Sequence, residues 1–232
     1  MRTAFLCLAA AFIVAEAASV HAAPAAWPLP PYSYFLGRIP PPPVTGGFRD
    51  RADLRFSRHV QHAAFKSDVD QAERFVRFTV FTFADVLGPH FSAKNFPETA
   101  AFFKKLETTA NGPKNFIKDH YARIRPYLAH PTSIQRLITP DDGFSYPSGH
   151  ATRSWLYARV LAQLDPKDSR RFLEQAKAIG NSRVLGGMHY KSDIAASRTL
   201  ADLIFQQLMT QSEFRADLHR LKKTEWTPGT FR

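Results

Sequence analysis

Residues 145–164 read SYPSGHATRSWLYARVLAQL. Trp155, Leu156, Val160, Leu161 and Leu164 recur at helical spacing behind Pro147-Ser148-Gly149-His150, so the segment predicts a helix from about Ser148 to Leu164 with that tetrapeptide at its start. Free N–H groups and the positive end of the helix dipole attract an anion there. Gly149 lets an anion's oxygen approach the backbone, Ser148 adds a hydroxyl donor, and His150 stands on the first turn.

Upstream, residues 127–146 are broken by Pro131, Pro140 and Gly143 and show little periodicity, which predicts a long loop of the kind that often carries function. Before it, Lys118 and Arg125 lie seven residues apart. On one helix, seven residues bring two side chains to within about twenty degrees of each other, so the pair is expected to converge on one anion from a single face. Pro126 disfavours helical geometry at Arg125, so that helix should end there. Downstream, Ser182-Arg183 falls near the end of a predicted helix that Gly186-Gly187 breaks. His189 and Asp193 follow four apart, close enough for the carboxylate to bond an imidazole nitrogen and fix its tautomer.

The pattern is helical almost everywhere from about Arg51 onward. Val69, Ala72, Val76, Val80, Phe83 and Leu87 predict one core helix after Ser67. Pro97-Glu98 opens a helix that Asn111-Gly112 is expected to close, and Pro113 is expected to start the next. Further helices are predicted from Lys167 to about Gly186, Ser192 to Met209 and Ser212 to Lys222. Strand-like alternation is nearly absent, so the fold class is all-α, a single-domain helical bundle.

The N-terminal residues read as a secretory signal. Arg2 is followed by an apolar run from Ala4 to Ala15, and Val20-His21-Ala22 is a cleavage pattern, giving a signal peptide over 1–22. Residues 23–50 form an extended proline-rich segment whose Trp27, Tyr32, Tyr34 and Phe35 suggest docking on the domain, and 51–232 form the domain itself. The single cysteine, Cys7, lies in the leader, so disulfides and thiol chemistry are excluded from the mature chain. No later segment approaches the length of apolar sequence that spans a bilayer. The formal charge of +11 favours anionic partners. His59 and His62 have ligand-like spacing but no partner nearby in sequence and read as a surface pair, so no metal site is assigned.

In this order, the segments K-x6-R-P, P-S-G-H and S-R-x5-H-x3-D resemble the signature of the superfamily that unites type 2 phosphatidic acid phosphatases with vanadium haloperoxidases, and every motif position matches. Within it the chain is similar to the bacterial class A non-specific acid phosphatases, from about Ile39 to the C-terminus. The resemblance implies a helical bundle of that type. It implies that Lys118, Arg125 and Arg183 hold the phosphate oxygens, with Ser148 and the Gly149 amide completing the cradle. His189 would attack phosphorus, Asp193 would orient it, and His150 would protonate the departing alcohol, with neither metal nor cofactor. Three fixed cations suit the equatorial oxygens of a trigonal-bipyramidal transition state.

Phe144 and Ala151 depart from the acid-phosphatase pattern, which usually has glycine and threonine there. The expected partners are small-molecule phosphate monoesters, with vanadate and phosphate as inhibitors. Nucleic acid is not expected except as nucleotides, and export to the periplasm or medium is expected from the leader. A homo-oligomer is compatible with the sequence. A neutral His189 and a protonated His150 together predict a bell-shaped, acidic-to-neutral pH profile. Two alternatives remain open: a vanadate-dependent haloperoxidase on the same scaffold, and a basic non-enzymatic binding protein.

Overall fold

A computed structural model describes residues 26–227 and 229–231. The expected signal peptide lies outside the described residues, as do the first residues of the proline-rich segment. Among the described residues there are helices and no strands. Three long helices form the centre: α5 (Pro97–Tyr121), α7 (Gly149–Leu164) and α9 (Lys191–Thr210). Around them lie α1 (Ser33–Leu36), α2 (Phe48–His62), α3 (Lys66–Arg74), α4 (Ala84–Leu87), α6 (Pro126–Ala129), α8 (Ser169–Leu185) and α10 (Ser212–Thr224).

Helix α7 packs against α5, α8 and α9. Its buried residues lie all round the helix, from Ala151, Leu156 and Tyr157 to Val160, Leu161 and Leu164. A helix buried on every side must be the central one. It carries Ser148-Gly149-His150 at its N-terminus, so a central, buried helix presents the expected anion site.

Two helical expectations change. The run from Ser67 to Leu87 is not one helix. It unwinds after Arg74 through a 3-10 turn (Phe75–Arg77), goes extended at Phe78, and restarts at Thr79, whose side chain accepts from the Phe81 amide. Ala72, Val80, Phe83 and Leu87 of the expected pattern are buried, Val69 and Val76 only half-buried, and the bent path buries Phe75 and Phe78 in addition. Unwinding also releases the Val76 carbonyl from helical bonding, and that carbonyl then faces His150.

The Asn111-Gly112-Pro113 triplet does not end a helix either. Helix α5 runs through it, with Pro113 in its interior. Proline there costs about 3 kcal/mol. Burial of Phe102, Phe103, Leu106 and Ala110 on one side and Ile117 on the other offsets that cost. The triplet serves instead as the seat of the N-terminal strap. A Cβ at Gly112 would lie 2.2 Å from the Tyr32 hydroxyl oxygen, and the Trp27 amide donates to Thr109 Oγ1 at 3.0 Å.

The strap holds the single helical turn α1 and a tight turn closed by the Gly47 amide on the Val44 carbonyl at 2.9 Å, and α2 starts at Phe48, slightly before the expected domain boundary. Trp27 is 2% exposed and packs on Phe102 and Phe214, each with ring centroids at 5.0 Å. At the other end of the chain, Glu225 caps α5. Its carboxylate accepts from the Glu98 and Thr99 amides, both at 2.8 Å, satisfying donors that a helix start leaves free.

Candidate active site

The site forms where the N-termini of α7 and α9, the C-terminus of α8 and the 127–147 loop meet. Ser148 is the N-cap of α7 and its hydroxyl accepts from the Ala151 amide at 3.3 Å. Gly149 begins the helix, and the Lys114 side chain lies over it, 3.3 Å from where a Cβ would stand.

His150 is buried. Its Nε2 is 2.9 Å from the Val76 carbonyl, to which it donates, and its Nδ1 is 3.4 Å from Asp141 Oδ2. Burial and the Arg183 charge hold its pKa down at about 3, so His150 is neutral in the free protein. The expected protonated state is therefore not the resting one.

Lys118 and Arg125 converge as expected but not on one helical face. Helix α5 ends at Tyr121, Ala122 takes the left-handed conformation (φ 45°), and Arg125 sits in extended geometry ahead of Pro126. The chain turns back, and both cations reach the same short segment. Lys118 Nζ donates to the Phe144 carbonyl. Arg125 donates through Nε to the Gly143 carbonyl at 2.9 Å and through Nη2 to the Asp142 carbonyl at 2.8 Å. Burial, then the Arg125 and Lys114 charges, lower the Lys118 pKa to about 7.

Arg183 has no exposed surface. Its Nη2 donates to Asp141 Oδ2 at 2.8 Å, while Nε and Nη1 find no acceptor among the described residues. A buried guanidinium with two unused donors is a costly arrangement unless an anion is to be bound.

His189 is buried beside it. Its Nδ1 lies 2.7 Å from the Ser145 carbonyl, which fixes the proton on Nδ1. Nε2 then carries the lone pair and lies 3.2 Å from Arg125 Nη1, which donates to it. Burial and the charges of Arg125, Lys118 and Arg183 push the imidazole well below its ordinary pKa, so it too is neutral.

Asp193 does not bond His189 directly, because Nδ1 to Oδ2 is 3.7 Å. It acts one residue removed. Its Oδ2 accepts from the Ser145 hydroxyl at 2.5 Å and the Tyr190 amide at 2.8 Å, so it holds the residue whose carbonyl holds the imidazole. Asp193 Oδ1 in turn accepts from Arg123 Nη1 at 2.7 Å, and Arg123 Nη2 reaches Asp50 at 3.0 Å and Asp53 at 3.2 Å.

All eight residues expected from the sequence thus lie in one region. Four others escaped notice: Arg123, Ser145, Asp141 and Lys114. Arg123 stands in the same Arg-x-Arg-Pro run as Arg125, a signal that could have been used. Ser145 holds His189 through its backbone carbonyl, which has no signature in sequence. His59 and His62 are exposed on α2, and no group of three or more metal-ligating side chains occurs among the described residues.

Fold and site together define a helical protein with a basic anion cradle facing a lone-pair nitrogen. The PAP2 superfamily profile matches residues 106–216, which include every site residue named above except Asp50, Asp53 and Val76. Over those residues, just under half of its length, the chain is similar to the PAP2 superfamily. It is 28% identical over 200 residues to a non-specific acid phosphatase of Providencia stuartii, covering 81% of this chain and 79% of that one. A non-specific acid phosphatase of Salmonella typhi is 28% identical over 201 residues, covering 80% and 77%. The crystal structure of a transmembrane PAP2 type phosphatidylglycerolphosphate phosphatase from Bacillus subtilis shares the fold, with a TM-score of 0.50 and 16% identity over 83% of this chain and 94% of that one. No helix among the described residues is long and apolar enough to cross a membrane.

Proposed function

We propose that the protein is an acid phosphatase that hydrolyses phosphate monoesters through a phosphohistidine on His189, without a metal ion. Phosphatase activity rests on the family and on relatives named as acid phosphatases. The observation that carries the mechanism is the fixed tautomer of His189, with Nδ1–H held by the Ser145 carbonyl and the Nε2 lone pair beside Arg125.

In the proposed reaction the phosphate enters between Arg183, Arg125 and Lys118, with the Ser148 hydroxyl and the Gly149 amide completing its cradle. His189 Nε2 attacks phosphorus as the bond to the alcohol oxygen breaks, and His150 gives that oxygen a proton. Water then attacks the phosphohistidine, losing its proton to His150, and phosphate leaves. The three cations match the charge spread over the equatorial oxygens. His150 is neutral before substrate arrives. Burial and the Arg183 charge both lower its pKa; an incoming phosphate dianion offsets the second, so the proton is taken up with the substrate.

Asp193 and Arg123 are positioning residues in this reading. Small-molecule monoesters are the expected substrates, and the periplasm or the medium the expected location. The test is hydrolysis of p-nitrophenyl phosphate by the wild type and by His189→Ala, with rapid acid-stable labelling of neither and base-stable labelling of the wild type alone. Full activity in His189→Ala would sink the mechanism. Peroxide-dependent bromination in added vanadate, in place of simple inhibition, would sink the phosphatase reading.

A further inference from the structure

Residues 140–144 are pinned at both ends. Glu73 accepts from Thr139 through its amide at 2.8 Å and its hydroxyl at 2.6 Å, and the Ser145 amide donates to the Arg123 carbonyl at 2.7 Å. Between these pins the chain gives four oxygens to the three cations assigned to phosphate: Asp141 Oδ2 to Arg183, the Asp142 and Gly143 carbonyls to Arg125, and the Phe144 carbonyl to Lys118.

Asp141 differs from the other three because it brings a full negative charge. Its carboxylate also faces His150 at 3.4 Å. Burial alone would raise its pKa, but the charges of Arg183 and Arg125 hold it below the usual carboxylate range, so it is ionised. A carboxylate at 2.8 Å from a guanidinium occupies the position an anionic oxygen of the substrate would take. The turn that carries it is not packed down: Gly143 has φ +73° and nothing lies within 4 Å of its Cβ position.

We propose that Asp141 is a specificity determinant of the cradle, an internal anion that competes with phosphate for Arg183. The proposal rests on the phosphatase reading of the same site. Asp141 engages only Nη2 of Arg183 and leaves Nε and Nη1 unused. A tetrahedral oxyanion can bond those donors and reach Arg125 and Lys118 at once, whereas a singly bonded anion gains too little to displace a tethered carboxylate. Asp141 therefore raises the threshold for entry in favour of multidentate oxyanions.

The experiment is calorimetric titration of inorganic phosphate into the full chain at pH 6, for the wild type, Asp141→Asn and Asp141→Glu. Removing the competing charge is expected to tighten phosphate by roughly tenfold or more in Asp141→Asn, with Asp141→Glu staying near the wild type. Sulfate should inhibit p-nitrophenyl phosphate hydrolysis more strongly in Asp141→Asn than in the wild type. Thermal unfolding guards against a folding defect: Asp141→Asn should be less stable without phosphate and gain more stability from phosphate than the wild type does. Unchanged or weaker phosphate binding in Asp141→Asn, or a variant that stays unfolded in saturating phosphate, overturns the proposal. A wild type that neither binds phosphate nor hydrolyses its esters instead overturns the site reading on which the proposal rests.

Discussion

Arg123 Nη1 stands 2.7 Å from Asp193 Oδ1, while the His189 imidazole is 3.7 Å from the other oxygen of the same carboxylate. Asp193 is thus ion-paired with Arg123 rather than with His189, and Arg123 extends the pair to Asp50 and Asp53 on α2. Removing Arg123 would leave three acids in or near the core without their cation. Arg123→Ala should cost about 3–5 kcal/mol of stability, measured by urea unfolding. Arg123→Lys keeps the charge but cannot fork between the three and should fall between the two. A loss below about 1 kcal/mol in the alanine variant would show that the network carries little.

Lys118 sets a limit on the alkaline side. With its pKa near 7, it loses its charge as the pH rises through neutrality, and a neutral amine no longer attracts phosphate. KM for p-nitrophenyl phosphate should therefore rise above about pH 7, approaching tenfold per unit if Lys118 is essential to binding. Arginine keeps its charge throughout, so Lys118→Arg should flatten that limb. A wild-type KM that stays flat from pH 6 to 9 would contradict this.

Acid should weaken the fold through its histidines. His150 and His189 both have folded pKa values depressed below the ordinary 6.5. The unfolded chain therefore binds more protons below about pH 6.5, and stability falls as pH drops from there toward the folded values, about 3 for His150. Each histidine adds at most about 1.4 kcal/mol per pH unit in that window. In His189→Gln the slope of unfolding free energy between pH 5 and 6.5 should be shallower by nearly one proton. Equal slopes in the two proteins would refute it.

The two left-handed glycines near the site should differ in what they tolerate. Gly187 has φ +77°, and a Cβ there would meet the Gln135 carbonyl oxygen at 2.4 Å. Gly143 has a similar φ of +73° with open space around it. Gly143→Ala carries backbone strain alone, about 1–2 kcal/mol. Gly187→Ala adds a clash with backbone and should lose more than 2 kcal/mol, seen as the larger drop in Tm. Equal drops would mean that the loop yields freely.

The fold class was legible because long apolar periodicities need burial, and α7, α9 and α10 satisfy them in place. Pro113 misled because local propensity is a weak prior: core residues on both sides of it outweigh the missing N–H. The run after Ser67 misled because a bent path buries most of the same residues as a straight one, with Phe75 and Phe78 in place of Val69 and Val76. Among the site residues, side chains with charge or basicity were visible in the motifs. What stayed hidden was the support. The Ser145 carbonyl has no identity in sequence, and Asp141 reaches Arg183 only through a loop whose course is set by Glu73 and by the Gly186-Gly187 approach.

Helix α5 is held at its middle by Trp27 and at its start by Glu225, contributors that lie far apart on either side of it in the sequence. During synthesis the helix emerges after its first clasp and well before its second. Native packing around the α5 end of the bundle must therefore wait until α10 and Glu225 have followed. A chain made in this order keeps an uncapped, aromatic-rich helix open until Glu225 has followed, and closes only when the segments on either side of it meet.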